Sequence, residues 1–208
     1  AETIRGWVGE ALDHFRSRPE ISRVEWKTRG HDVAPGLREA LLDHGFVEDE
    51  TESIMIGEAS ALDVDLPLPS GVTLRRVTAE ADVRAMAAMQ DLAFEGEVRP
   101  DSADPLLRRL ALDDGMELWV AEHDGVVVSA GRLEPVAGTQ FAGLWGGATL
   151  PEWRGRGIYR ALTAERARSA LRGGKTLLHS DSTEYSRPIL ERAGFLKVST
   201  TTPYEWTR

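Results

Sequence analysis

The chain has 208 residues, 41% of them hydrophobic, enough for one large domain or two small ones with a buried core. A net charge of −9 disfavours a general nucleic-acid or anionic-membrane surface, no apolar run reaches membrane-spanning length, and the expected partner is a small molecule or peptide of cationic character. The absence of cysteine excludes disulfides, thiolate metal sites and a cysteine nucleophile; no metal site is expected, no secretory signal is read, and the cytoplasm is the expected compartment.

In chain order, residues 24–28 read as a strand, 35–44 as an amphipathic helix closing at Gly45-Phe46, and 52–56 as another β-type run. The acidic, small-residue stretch 58–65 leads into 66–71, where two prolines and Ser70-Gly71 break all periodicity. That segment reads as a linker between an N-terminal domain, 1–65, and a larger domain, 72–208. Beyond it, 72–77 alternates as a strand, and Thr78 caps a helix carrying Val83, Met86, Ala87, Met89 and Phe94. A short helix fits 105–112. Residues 116–123 and 126–133 are strands joined by the hairpin signal Asp124-Gly125, and 140–150 is a further strand. A helix follows from residue 158, with Leu162, Ala164, Ala167 and Leu171 as its apolar stripe. The remainder reads as a buried strand at 176–179, a helix from about 183 to 192, and two closing strands at 195–200 and 204–206. From residue 72 the order is βααβββαβαββ.

The junction at 150–162 has the composition of an anion site. Pro151 ends a strand, Gly155 and Gly157 stand at the mouth of a helix, and Arg154, Arg156 and Arg160 surround it. Free N–H groups at a helix start carry partial positive charge, and glycine lets a phosphate approach them closely. Residues 155–160 have no third glycine and so are not a dinucleotide fingerprint. Gly174-Lys175-Thr176 lacks the upstream glycine of a P-loop and precedes a strand.

Arg154-Gly155-Arg156-Gly157-Ile158-Tyr159 resembles the Arg/Gln-x-x-Gly-x-Gly/Ala signature of the GNAT acetyltransferase superfamily, with Tyr159 where a small residue is usual. The element order over 72–206 is similar to that of the same family. The resemblance implies an α/β GNAT fold with a mixed, mostly antiparallel sheet whose central strands, the third and fourth of the domain, splay apart after a bulge. Gly146-Gly147 suits such a bulge or a close backbone approach. It implies acetyl-CoA as acyl donor, held by Thr149, Leu150, Arg154, Gly155, Arg156, Gly157, Ile158, Tyr159, Arg160 and Thr183. The implied activity is that of a GNAT-type N-acyltransferase, which moves the acetyl group directly to a primary amine of a small molecule or peptide. A non-catalytic acyl-CoA binding or sensing protein, or a structural relic of the fold, are the alternatives. A homodimer is compatible with each. The acceptor stays open, because variable loops build that pocket.

The stretch from Ser186 to Gly194-Phe195 resembles the family's closing segment, with Leu190 where a tyrosine often protonates the departing thiolate. Family register turns Leu190 toward the cofactor and Ile189 toward the core, so Leu190→Tyr is expected to raise turnover or leave it unchanged. Tyr185 and Ser186 are the nearest hydroxyls for the missing acid, with Tyr159 at the helix start. No residue from 141 to 150 is ionisable, so the base must come from Glu95 or Glu97 in the loop after the first helix, from Glu134, or from His179 and Asp181. Glu97 is the leading one. Trp119, Trp145 and Trp153 read as packing or rim residues, and His14, His31 and Asp32 as surface groups. Residues 41–46 echo 189–195, so the N-terminal part reads as a shortened half-GNAT unit without a phosphate loop. Its apolar set, Phe46 and Ile54 to Ile56, is too small to stand alone.

Overall fold

The computed structural model of the protein describes residues 2–94 and 96–208. Its elements are α1 (Glu2–Arg16), β1 (Arg23–Arg29), α2 (Leu37–Asp43), β2 (Val47–Glu48), β3 (Glu52–Glu58), β4 (Val72–Val77), α3 (Glu80–Phe94) and α4 (Asp104–Leu110). They continue with β5 (Glu117–His123), β6 (Val126–Pro135), β7 (Phe141–Thr149), α5 (Ile158–Arg172), β8 (Leu177–Ser182), α6 (Arg187–Arg192) and β9 (Leu196–Thr207). Two compact units share these elements: one takes residues up to 55 with 181–188 and 197–208, the other takes 56–180 and 189–196.

In the first unit β9 pairs antiparallel with β1, from Arg23 opposite Thr207 to Arg29 opposite Thr201, and with β2 at Val47 and Glu48. Val8 and Leu12 of α1, Ala40 and Leu41 of α2, Val24, Phe46, Tyr204 and Trp206 close its core. Helix α1 was not anticipated from sequence. Its apolar residues Ile4, Val8, Leu12 and Phe15 fall at helical spacing, and Glu2 and Arg16 suit the helix dipole at the two ends. The expected strand, helix and strands of the N-terminal part are present, but the core is completed by β9 from the far end of the chain. The expected interruption near residue 203 is absent: β9 runs through Pro203, which stands opposite Lys27. A proline φ suits extended chain and costs the ladder only one donor.

In the second unit β4, β5, β6 and β7 form antiparallel ladders in that order, and β8 joins β7 in parallel, giving the mixed, mostly antiparallel sheet of an α/β protein. Asp124 and Gly125 both have positive φ, 48° and 80°, as a two-residue hairpin turn between β5 and β6 requires. Helices α3 and α4 bury Val83, Met86, Met89 and Leu106 against Val77, Leu118, Val120 and Ala148, while Ile158 of α5 packs with Val72, Ala121 and Val128. The stretch after β3 is tied down: Arg168 of α5 bonds Asp63 at 2.8 Å, the Val64 carbonyl at 2.8 Å and Asp65 at 2.9 Å. Leu68, within the expected linker, packs on the cluster around Ile158.

The helix expected from residue 183 begins only at Arg187, because Pro188 is tolerated in a helix's first turn and not further in. The two Gly-Phe echoes share one physical cause. At each, the glycine is left-handed (Gly45 φ 88°, Gly194 φ 84°), and the phenylalanine N–H bonds the carbonyl five residues back, Phe46 to Leu41 at 3.1 Å and Phe195 to Leu190 at 3.0 Å. This is a Schellman cap, whose usual apolar contact joins the residues at those same two positions.

Because Tyr204 and Trp206 belong to the first unit's core, a fragment of residues 1–65 is expected to lack a cooperative melting transition by circular dichroism. A sigmoidal unfolding curve for that fragment would contradict this assignment of the core.

Candidate functional site

The chain leaves β7 through a short turn at Pro151–Trp153 and enters α5 at Gly157, whose φ of 81° places the N-cap in left-handed space with no side chain capping the helix. The first hydrogen bond into the helix is Ala161 N–H to the Gly157 carbonyl at 3.0 Å. The N–H groups of Ile158, Tyr159 and Arg160 therefore have no partner within the helix, and the helix dipole adds to their positive potential. Gly155 is left-handed too, at φ 74°, and a Cβ at either glycine would meet nothing within 4 Å. Conformation, not crowding, demands glycine here, and the space before the N–H groups is open to an anion.

The arginines differ in what they do. Arg154 is occupied with backbone: Nε donates to the Thr149 carbonyl at 3.0 Å and Nη2 to the Ala93 carbonyl at 3.2 Å, which ties the loop to β7 and to α3. Arg156 lies over the Trp153 ring at 4.8 Å, and Arg160 is exposed. Leu150 N–H is bonded to the Val128 carbonyl, and the Thr149 hydroxyl to Ser129 at 2.8 Å. Ile158 buries its side chain, so only its backbone can face a ligand.

The expected bulge is present at Gly146-Gly147. Ala130 pairs with Ala148 but Arg132 with Trp145, so Gly131 of β6 faces two residues of β7, and Gly146 takes φ 57°. Gln90 of α3 donates to the Gly146 carbonyl at 2.6 Å. A Cβ on Gly147 would sit 2.6 Å from Cε2 of Tyr159, and one on Gly131 would sit 2.4 Å from Nη1 of Arg166. The splayed pair is not the one expected. The third and fourth strands, β6 and β7, stay paired from Ser129–Thr149 to Pro135–Ala142. The parallel ladder of β7 with β8 covers only Phe141–Gly143 against Leu177–His179, and the bulged half of β7 departs from it.

The other sequence candidates fall apart into separate environments. Leu190 is 1% exposed, buried as the capping partner of Phe195, so the register that turned it toward a cofactor is wrong and Leu190→Tyr is a core substitution. Tyr185 is 80% exposed; Ser186 stands 3.5 Å from the Thr183 hydroxyl, and all three belong to the first unit. Asp181, also of that unit, accepts from Lys27 Nζ at 3.0 Å, with Glu52 at 3.5 Å. Burial pulls the Lys27 ammonium down, but Asp181 and Glu52 outweigh it and hold it above its ordinary value, while burial pushes Glu52 up. His179 meets Phe141 and Trp145 edge-on, with ring centres 6.1 and 5.3 Å away. Glu134 is paired with Arg132 and Arg109 at 3.1 and 3.5 Å. Glu97 is exposed, and Glu95 lies outside the described residues. His31 bonds Ser199 and Asp32 accepts from the Arg29 N–H, as surface groups do.

Two contributors were missed from sequence. Asp91, nearly buried, accepts from the Arg99 N–H at 2.9 Å and its guanidinium at 3.2 Å, fixing the loop after α3. Arg166 is fully buried on α5, and the run of small residues around it gives no sign that its neighbours are glycines of the sheet.

The model of the acetyltransferase (GNAT) family matches residues 83–195. No curated protein matches the chain. Among solved structures, a conserved protein of unknown function from Staphylococcus epidermidis is 14% identical with a TM-score of 0.67, over 99% of this chain and 81% of that one. A GCN5-related N-acetyltransferase from Kribbella flavida is 21% identical with a TM-score of 0.62, over 93% and 71%. A tandem GNAT protein from the clavulanic acid biosynthesis pathway is 13% identical with a TM-score of 0.66, over 98% and 68%. At these identities the likeness is one of fold.

Leu190→Tyr is expected to destabilise by about 1–3 kcal/mol through overpacking, read as a lower urea midpoint; an unchanged midpoint would return Leu190 to the cleft. Burial raises the Asp91 carboxyl, but the Arg99 N–H, Ser102 and the Arg99 guanidinium outweigh it and hold it below its ordinary value. With a lowered folded value, its tether is complete above the ordinary carboxylate range and lost as pH falls through that lowered value. Protection of residues 96–102 against hydrogen exchange, corrected for the intrinsic rate, should therefore fall in acid, and Asp91→Asn should lower it at neutral pH, where the wild-type carboxylate is charged.

Proposed function

The chain belongs to the acetyltransferase (GNAT) family, and we propose that it transfers an acetyl group from acetyl-CoA to a primary amine by direct attack. The observation that carries this reading is the uncapped start of α5 with its two left-handed glycines in open space, at the end of a strand whose bulged half has left β8. The pyrophosphate of the donor binds the N–H groups of residues 158–160, with Arg156 and Arg160 supplying formal charge. Arg154 shapes the loop instead of meeting the phosphates. The pantetheine arm runs along the freed edge of β7 and brings the thioester to the bulge, where backbone N–H groups steady the oxyanion.

The amine nitrogen attacks the thioester carbon, a C–N bond forms and the C–S bond breaks, and the thiolate leaves with a proton. With no cysteine in the chain, a thiol acyl-enzyme has no residue to form on. His179, set between Phe141 and Trp145 where β8 parts from β7, is the base we favour over the exposed Glu97. The buried Leu190 supports a second reading, an acyl-CoA binding protein that does not turn over. Release of coenzyme A in the presence of amines separates the two.

Acetyl-CoA at about 100 times its dissociation constant is expected to stabilise the fold by about 2.7 kcal/mol, seen as a rise in Tm that acetate does not produce. Arg156→Glu should remove most of that rise and leave the ligand-free Tm unchanged. No shift at millimolar acetyl-CoA would overturn both readings.

A further inference from the structure

Arg166 is a charge without an evident purpose. Its side chain is 1% exposed and makes no ion pair among the described residues. Nη1 donates to the Arg132 carbonyl at 3.0 Å, Nη2 to the Thr163 hydroxyl at 3.0 Å, and Nε to the Leu162 carbonyl at 3.4 Å. Thr163 in turn donates to the Tyr159 carbonyl at 2.8 Å. Burial pulls the guanidinium below its ordinary value, and the nearby Tyr159 phenol pushes back. A buried charge with no opposite charge is costly, and such groups persist where the charge is used.

Tyr159 lies where a proton is needed. Its ring covers Gly147, with the hydroxyl 3.2 Å from the place a Cβ would take, so the phenol stands on the bulge. The chain has three tyrosines. Tyr185 is 80% exposed, and Tyr204 is bound to Glu48, with burial and that bond pushing its hydroxyl up to about 12. Leu190 cannot donate a proton at all.

We propose that Tyr159 protonates the departing coenzyme A sulfur and that Arg166 is the positioning residue that holds its hydroxyl and steadies the phenolate left behind. The role rests on the acetyl-transfer reading. As the C–S bond breaks, the sulfur takes the phenolic proton, and the proton lost by the attacking amine returns through solvent to the phenolate. Amine and thioester thus become amide and thiol with no other reactant. Tyr159→Phe keeps the ring on Gly147 and removes only the hydroxyl.

The test uses the full chain, acetyl-CoA as donor and hydroxylamine as acceptor probe, with release of coenzyme A measured above the protein-free rate. Tyr159→Phe should lower kcat by about 100-fold or more with KM for acetyl-CoA little changed. Arg166→Met should approach the same rate, Arg166→Lys should recover part of it, and the double variant should be no slower than Tyr159→Phe, since Arg166 acts through Tyr159. A binding readout accompanies these: with 13Cζ-labelled tyrosine, the resonance absent in Tyr159→Phe should move with coenzyme A and stay put with desulfo-coenzyme A. Wild-type protein that releases no coenzyme A overturns the acetyl-transfer reading and this role with it. Turnover that Tyr159→Phe leaves intact, or loses only through KM, overturns this role alone. Should Arg166→Met fail to fold, Arg166→Lys and Tyr159→Phe decide the matter.

Discussion

Helix α5 lies so close to β6 and β7 that two positions of the sheet have no room for a side chain. At Gly131 a guanidinium occupies the place of a Cβ, and at Gly147 a phenol ring does. That proximity sets the rest of the second unit. It puts an extra residue into β7 opposite Gly131, the extra residue turns Gly146 into left-handed space, and the turned strand leaves the ladder with β8 after Gly143. It also brings the unpaired N–H groups of the helix start to the end of that same strand. A larger residue at either glycine would move the helix mouth and the strand edge together, so the helix mouth and the bulge form one mechanical unit.

Much of this was legible in the residues. Asp124-Gly125 announced the β5–β6 turn because few dipeptides accept two positive φ angles in succession, and the structure has both. The helical spacing of Val83, Met86 and Met89 gave α3, which has one face on a core and one in water, and the β-type run 72–77 gave β4, whose Val72 and Val77 enter two different clusters from opposite faces. The strand-to-helix junction was legible for a similar reason: Pro151 ends the strand, and Gly155 and Gly157 accept the left-handed turn that opens α5. What the residues hid was long-range. That Arg166 is buried depends on two glycines from other strands, and nothing local to α5 encodes them. Pro203 looked like a break because the ladder donor it lacks is visible in sequence while the strand that accommodates it is not.

Leu190 illustrates how a correct local motif can carry a wrong side-chain direction. Its resemblance to the family pattern and its echo of Leu41 are both real. Only the second has a mechanical basis in this chain, because a Schellman cap joins the third residue from the helix end to the residue after the glycine. Leu41 and Leu190 are both almost completely buried, as are Phe46 and Phe195, so the apolar demand of the cap sets the direction of the leucine. The two halves of the echo thus look alike through helix punctuation, whatever their ancestry.

The participation of β9 in the first unit has a consequence for how the polypeptide emerges from the ribosome. Val8, Leu12, Leu41 and Phe46 are made well before Tyr204 and Trp206, which cover them. At synthesis rates of about 5–20 residues per second, the early apolar groups wait on the order of ten seconds for their cover. Throughout that interval the nascent chain presents a half-built core to its surroundings, the kind of surface that chaperones hold. The second unit, whose antiparallel ladders join strands contiguous along residues 117–149, has far less to wait for.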